Sequence, residues 1–164
     1  MRMHLPQCIA LTVVLSLAAP AGPAARTQAA DPRIAALVEA ADRASLALKY
    51  GEAHARADEA IAMAEKIGDR TGLAMGHRVK GRVFSREGRP RDSLASYERA
   101  LAAFEALGLK AGVASALAGL ALSSITLGDV ARAREWGKRA LGLYVEVGDE
   151  RGRANVLIIL LELQ

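Results

Sequence analysis

Glycines and alanines recur every forty residues along this chain. Gly68, Gly108 and Gly148 are spaced forty apart, and Gly88 and Gly128 repeat at the same interval. A period of 20–50 residues is typical of stacked structural units, each of which buries its apolar face only against its neighbours. We therefore expect a repeat protein that presents an extended surface to a partner rather than a catalytic pocket. The same interval separates further small residues: Gly72, Gly112 and Gly152, and also Ala74, Ala114 and Ala154.

The composition predicts an all-α fold. Hydrophobic residues make up 52% of the 164 residues, but aromatic residues make up only 4%, so alanine and leucine supply most of the apolar content. Alanine and leucine favour helices, whereas β-branched and aromatic residues favour strands. A chain of this length can form one domain with a hydrophobic core.

The charge balance argues against nucleic acid as a partner. The formal net charge is +4, but Arg2 and Arg26 lie in a segment that we expect to be removed. Without them, 20 basic residues stand against 18 acidic residues, a net charge of +2. Such a weak excess, with no aromatic platform for stacking bases, is not typical of a nucleic-acid-binding protein.

The first thirty residues resemble an export signal. Arg2 provides a positive start, and the apolar run over residues 9–19 has the length of a signal-peptide core but is too short to span a bilayer. A Pro- and Ala-rich segment follows, with cleavage expected after Ala21 or, as we favour, near Ala30. This predicts a periplasmic or secreted protein with no membrane contact after cleavage. The alternative is an uncleaved membrane anchor.

No residue pattern indicates catalysis, a metal or a cofactor. Cys8 is the only cysteine and precedes the apolar run, so it does not have the position of a lipid-attachment cysteine. His4, His54 and His77 show no spacing typical of a metal site. No nucleophile, base and acid can be grouped from the sequence, so we expect no enzyme activity and no cofactor.

Helical spacing divides residues 31–164 into three helix pairs and a final half unit. The expected units cover about residues 32–67, 68–107, 108–147 and 148–164. Asp31 is suited to cap the first helix, and Gly51 is expected to break it. Gly68 is suited to end the second helix in a left-handed conformation, and Pro90 to start a later one.

The final helix is unusually apolar. Residues 156–161 are all aliphatic, whereas the terminal unit of a repeat array normally has a polar outer face. We therefore expect this helix to pack against something else. Either a homo-oligomer through this helix or a C-terminal extension would cover it.

The units resemble tetratricopeptide repeats (TPR). Gly81 and Phe84 match the small and aromatic positions of the first helix of a repeat, and Ser93, Tyr97 and Ala100 match those of the second helix. The forty-residue form, with Gly-Asp between units, is similar to repeats of kinesin light chains and of bacterial arrays that precede caspase-like CHAT domains. The resemblance implies an α-solenoid of three antiparallel helix pairs plus an unpaired helix. It also implies a protein-binding scaffold without intrinsic activity.

A stripe of arginines is the main candidate binding site. Arg78, Arg82 and Arg86 are four residues apart, so they lie on one helical face. In the family that this chain resembles, first helices line a concave groove, which makes the stripe a candidate anchor for acidic side chains or a C-terminal carboxylate. The alternative is a solvated face, or ion pairs with Glu39 and Asp42 on the preceding first helix.

Later first helices contribute further residues to the same expected face. They include Ser115, Leu122 and Asn155. Apolar positions beside arginines suit a peptide that is both acidic and apolar, although ordinary packing between helices would also explain each apolar residue.

Three functions fit the sequence. We favour an exported bacterial helical-repeat scaffold that binds a protein or peptide in its groove. The alternatives are a recruiting part of a larger enzyme, such as a CHAT-type protease, and a structural component of an envelope complex.

Overall fold

The computed structural model describes residues 29–163, and all regular structure within this range is helical. The predicted signal-peptide core lies outside the described residues. None of the helices within residues 29–163 is long and apolar enough to cross a membrane. The described helices are α1 Pro32–Leu46, α2 Tyr50–Ile67, α3 Arg70–Arg86, α4 Pro90–Ala106, α5 Lys110–Thr126, α6 Val130–Val147 and α7 Glu150–Leu161.

The helices stack in chain order into a curved array. Each helix packs against the next, and α1, α3, α5 and α7 also pack against one another in sequence. Within the described part of the chain, α2 does not contact α4, and α4 does not contact α6. Because the odd-numbered helices are close together and the even-numbered ones are apart, the odd-numbered helices form the concave face. The predicted arrangement of three helix pairs and a final single helix is therefore confirmed.

Glycines and aspartates define the helix boundaries, as predicted. Asp31, Asp69 and Asp149 each accept a hydrogen bond from a backbone N–H in the first turn of the following helix. Such caps satisfy backbone donors that have no partner within the helix. Five glycines between helices have φ of 67–80°, a region that side chains rarely adopt: Gly68, Gly88, Gly108, Gly128 and Gly148.

The predicted break at Gly51 is wrong. Gly51 lies inside the first turn of α2, which begins at Tyr50. The chain turns instead at Leu48, whose φ is 60°. Leu48 precedes Gly88 by forty residues, so it occupies the turn position that glycine holds in the later units. The first unit therefore keeps the repeat geometry without the residue that normally favours it.

Close packing in the middle of the array depends on two glycines. The ring of Tyr97 on α4 lies between Gly81 on α3 and Gly119 on α5, and a Cβ at either glycine would be closer than 3.0 Å to a ring atom or overlap it. The hydroxyl of Ser93, one turn before Tyr97, donates a hydrogen bond of 2.9 Å to the carbonyl of Gly81. These contacts hold α4 between two first helices and so set the spacing of the concave face.

Candidate functional site: the concave groove

The predicted site residues all lie on helices that line the concave face. Arg78, Arg82 and Arg86 are on α3, Ser115 and Leu122 are on α5, and Asn155 is on α7. They do not form one cluster. Arg82 and Arg86 contact α1, whereas Arg78 and Ser115 line a cavity. Leu122 and Asn155 are exposed and lie outside that cavity.

Arg82 and Arg86 have an internal partner. The Nη2 atom of Arg82 is 2.6 Å from a carboxylate oxygen of Asp42 on α1, and Nη1 of Arg86 is 3.9 Å from the other oxygen. Arg86 also lies 3.5 Å from the hydroxyl of Ser45. The Arg82 and Asp42 side chains are both mostly buried, so this pair joins the first two units. The other suggested partner, Glu39, pairs with Arg43 on its own helix instead.

Arg78 lies on the same stripe but has no carboxylate partner among the described residues. Its side chain is partly buried, and burial lowers the pKa of its guanidinium, with the positive charge of Arg82 acting in the same direction. Three guanidinium groups thus stand near one carboxylate, that of Asp42. The stripe therefore has an excess of positive charge, and Arg78 is the position at which no internal ion pair offsets it.

Arg78 lines a cavity of about 600 Å³ between α3 and α5. Met75 and Phe104 contribute apolar surface, and Ser115 faces the cavity from α5. Lys110 stands at one end, where its ammonium is 2.8 Å from Glu146 and the pKa of Lys110 is raised by that carboxylate. Apolar walls with one unpaired guanidinium and a hydroxyl can hold an apolar group that carries a carboxylate. Further lining residues are Thr71, Gly108, Leu109, Ala111, Gly112 and Val147.

Tyr144 on α6 is close to Ser115 and Arg78, which both line this cavity, and it was not singled out by sequence reasoning. Burial raises the pKa of its hydroxyl, while the neighbouring Ser115 hydroxyl and the charge of Arg78 lower it. Its ring lies against Gly152 on α7, where a Cβ would overlap it. Tyr144 follows Phe104 of α4 by forty residues, and the ring of Phe104 lies against Gly112 as that of Tyr144 lies against Gly152. This forty-residue spacing is the signal by which the sequence could have identified Tyr144.

A second groove, of about 700 Å³, lies at the N-terminal end of the array between α1 and α2. It is the face that a preceding unit would cover, and Leu37, Ala40 and Met63 are among its apolar lining residues. The charges at its rim are paired locally, as shown by Lys49 with Glu52 at 4.0 Å and by Arg56 with Glu59 at 3.0 Å. This groove therefore has no unpaired charge of the kind that Arg78 gives the cavity on the concave face.

Comparison with solved structures identifies the fold. A TPR-like protein from Chlorobium tepidum has a TM-score of 0.64 and 20% sequence identity, and the match covers 80% of this chain and 94% of that protein. No protein-family model matches the chain, and no curated protein matches it in sequence. At this level of identity the likeness concerns the fold, which is a TPR-like α-solenoid as the sequence predicts.

Proposed function

We propose that this protein is a scaffold that binds a protein segment carrying a carboxylate and apolar side chains in its concave groove. The observation that carries the proposal is the partly buried Arg78, which faces the cavity between α3 and α5 and has no ion pair among residues 29–163. Removing a guanidinium from water without a counter-ion costs free energy. A bound carboxylate would offset that cost, because charge-assisted hydrogen bonds to guanidinium are strong and directional.

The fold supports a binding function rather than catalysis. A solenoid presents its concave face along several units, so an extended segment can contact α3, α5 and α7 in turn. The exposed Leu122 on α5 and Asn155 on α7 would contact the residues of the segment that lie beyond the cavity. A recruiting part of a larger enzyme, or an envelope component, would use the same groove for its own partner.

We assign the repeats to the forty-residue form of the TPR family on the basis of the Gly-Asp turns.

The first test is to select peptides and then remove the charge of Arg78. Peptides from a displayed random library, selected on the immobilised protein and labelled with fluorescein, should carry a carboxylate next to apolar residues. Arg78→Glu should raise their dissociation constant about 10- to 100-fold, since hydrogen bonds to charged groups contribute roughly 1.5–3 kcal/mol. Fluorescence anisotropy measures the affinity, and circular dichroism checks that the fold is intact.

Two further variants distinguish binding from stability. Arg99→Glu changes an exposed arginine on α4, outside the concave helices, and should leave the affinity unchanged. Arg82→Ala should instead lower the free energy of unfolding by about 1 kcal/mol, because Asp42 loses its nearest cation and both groups are partly buried. The proposal fails if the selected peptides lack carboxylates, or if Arg78→Glu and Arg99→Glu bind them equally.

We also propose that the chain is exported and cleaved. The basic start, the short apolar run over residues 9–19 and the Pro- and Ala-rich segment after it support this. Protein recovered from the periplasm or medium of its host should begin between Gly22 and Asp31 when its N-terminus is sequenced. Soluble cytoplasmic protein that retains Met1 would contradict export.

A further inference from the structure

The repeat register places a single acidic side chain beside the arginine stripe. Each arginine of the stripe has a counterpart forty residues earlier on α1 and forty residues later on α5. The counterparts are Val38, Asp42 and Leu46 on α1, and Ala118, Leu122 and Thr126 on α5. The stripe is therefore next to one carboxylate on the α1 side, whereas the corresponding positions on the α5 side, where the cavity lies, carry no charge.

The contact between Asp42 and Arg82 is one-sided. A guanidinium can donate two parallel hydrogen bonds to one carboxylate, but here only Nη2 of Arg82 donates, over 2.6 Å to Oδ2 of Asp42. Nε of Arg82 and Oδ1 of Asp42 are buried and have no hydrogen-bond partner among the described residues. Nη1 of Arg86 is 3.9 Å from Oδ1, which is beyond hydrogen-bond distance. Because a buried polar atom without a partner costs free energy, this pair is held less tightly than a pair with two bonds.

The charge of Asp42 also acts on Arg78, the arginine that faces the cavity. Burial has the largest effect on the pKa of Arg78 and lowers it; the positive charge of Arg82 lowers it further, and the negative charge of Asp42 raises it. Arg82 and Asp42 thus both lie within electrostatic range of the position where a partner's carboxylate would bind. That carboxylate would be attracted by Arg82 and repelled by Asp42.

We propose that Asp42 is an internal competitor of the partner's carboxylate. In the unbound protein it engages Arg82, and its negative charge offsets part of the positive charge that a carboxylate in the cavity would meet. Asp42 thereby limits the affinity of the groove for acidic segments. This inference rests on the proposed function, because it concerns how strongly the same groove binds. An ion pair that only joined the first two units would behave differently: its loss would leave the affinity unchanged or lower it.

The first test is Asp42→Asn, which removes the charge and keeps the shape of the side chain. The probe is the carboxylate-containing, fluorescein-labelled peptide selected on the wild-type protein, and anisotropy measures its affinity. Asp42→Asn should lower the dissociation constant about three- to tenfold, the size expected for one unit charge acting over several ångströms near a protein surface. It should do so even though urea unfolding shows a less stable protein, because Arg82 loses its partner.

Two controls isolate the position of the charge and the charge of the ligand. Glu39→Gln makes the same charge change on the same helix, but the side chain of Glu39 is 72% exposed and pairs with Arg43. This variant should bind the peptide like the wild type. The same peptide with its carboxylate replaced by a carboxamide should gain nothing from Asp42→Asn, because an uncharged group is not repelled by Asp42.

A second comparison removes the effect of stability. In a chain that carries Arg82→Gln, adding Asp42→Asn leaves neither group of the pair charged, a change that is nearly neutral for folding. The double variant should still bind the peptide at least about threefold more tightly than Arg82→Gln alone, since the charge of Asp42 no longer opposes binding.

The outcomes separate this inference from the proposed function. If Asp42→Asn binds no more tightly than Glu39→Gln, and the double variant no more tightly than Arg82→Gln, the competitor role is wrong. The proposed function would still stand in that case, provided that Arg78→Glu weakens binding of the same peptide. Selected peptides without a carboxylate would overturn both.

Discussion

Replacing Leu117 with alanine is expected to lower the free energy of unfolding by about 2–5 kcal/mol. Leu117 on α5 is fully buried in the largest apolar cluster of the described chain, together with Leu120 and Phe104. Removing its side chain loses apolar burial and leaves a cavity that the surrounding helices cannot fill completely. Because α5 contacts α3, α4, α6 and α7, the loss weakens the interfaces on both sides of the third unit. Urea unfolding followed by circular dichroism measures the change.

The matched control for Leu117 is Leu46→Ala. Leu46 is mostly exposed on α1, so its truncation should change the free energy of unfolding by no more than about 0.5 kcal/mol. A difference of less than about 1 kcal/mol between the two variants would contradict the assignment of Leu117 to the core.

Adding one methyl group at two different glycines is expected to have opposite effects. Gly119→Ala on α5 would place a Cβ inside the ring of Tyr97, which cannot move away because Gly81 and α3 lie on its other side. Overpacking costs roughly 1–3 kcal/mol, more than the gain of about 1 kcal/mol in helix propensity. Gly142→Ala on α6 has no heavy atom within 4 Å of the new Cβ. It should stabilise the protein by up to about 1 kcal/mol.

Thermal unfolding of the two glycine variants, measured side by side, decides between these effects. Gly119→Ala should have a lower melting temperature than the wild type, and Gly142→Ala a higher one. If both variants are stabilised to the same extent, the ring of Tyr97 has room to move. Gly119 would then not set the distance between α4 and α5.

The candidate site was only partly accessible to sequence reasoning. The spacing of Arg78, Arg82 and Arg86 placed all three on one helical face, because helical periodicity is a local property. Whether each arginine has a partner depends on α1, which lies about forty residues earlier in the chain. Asp42 was identified as one of two suggested partners, but the sequence did not show that it pairs with Arg82 and Arg86 and leaves Arg78 without a carboxylate.

The sequence by itself determined the number and order of the helices in the described residues. Capping by Asp69 and left-handed turns at glycines such as Gly68 are local effects of one or a few residues, so they could be read directly. The sequence predicted this turn at Gly51 instead of at Leu48, because leucine is not a residue type that favours turns. Leu48 adopts a left-handed conformation only where the stacked units require it. Only the tertiary structure decided which charges are paired and which apolar faces are covered. These properties depend on distances between helices, which the packing of rings such as Tyr97 against glycines sets.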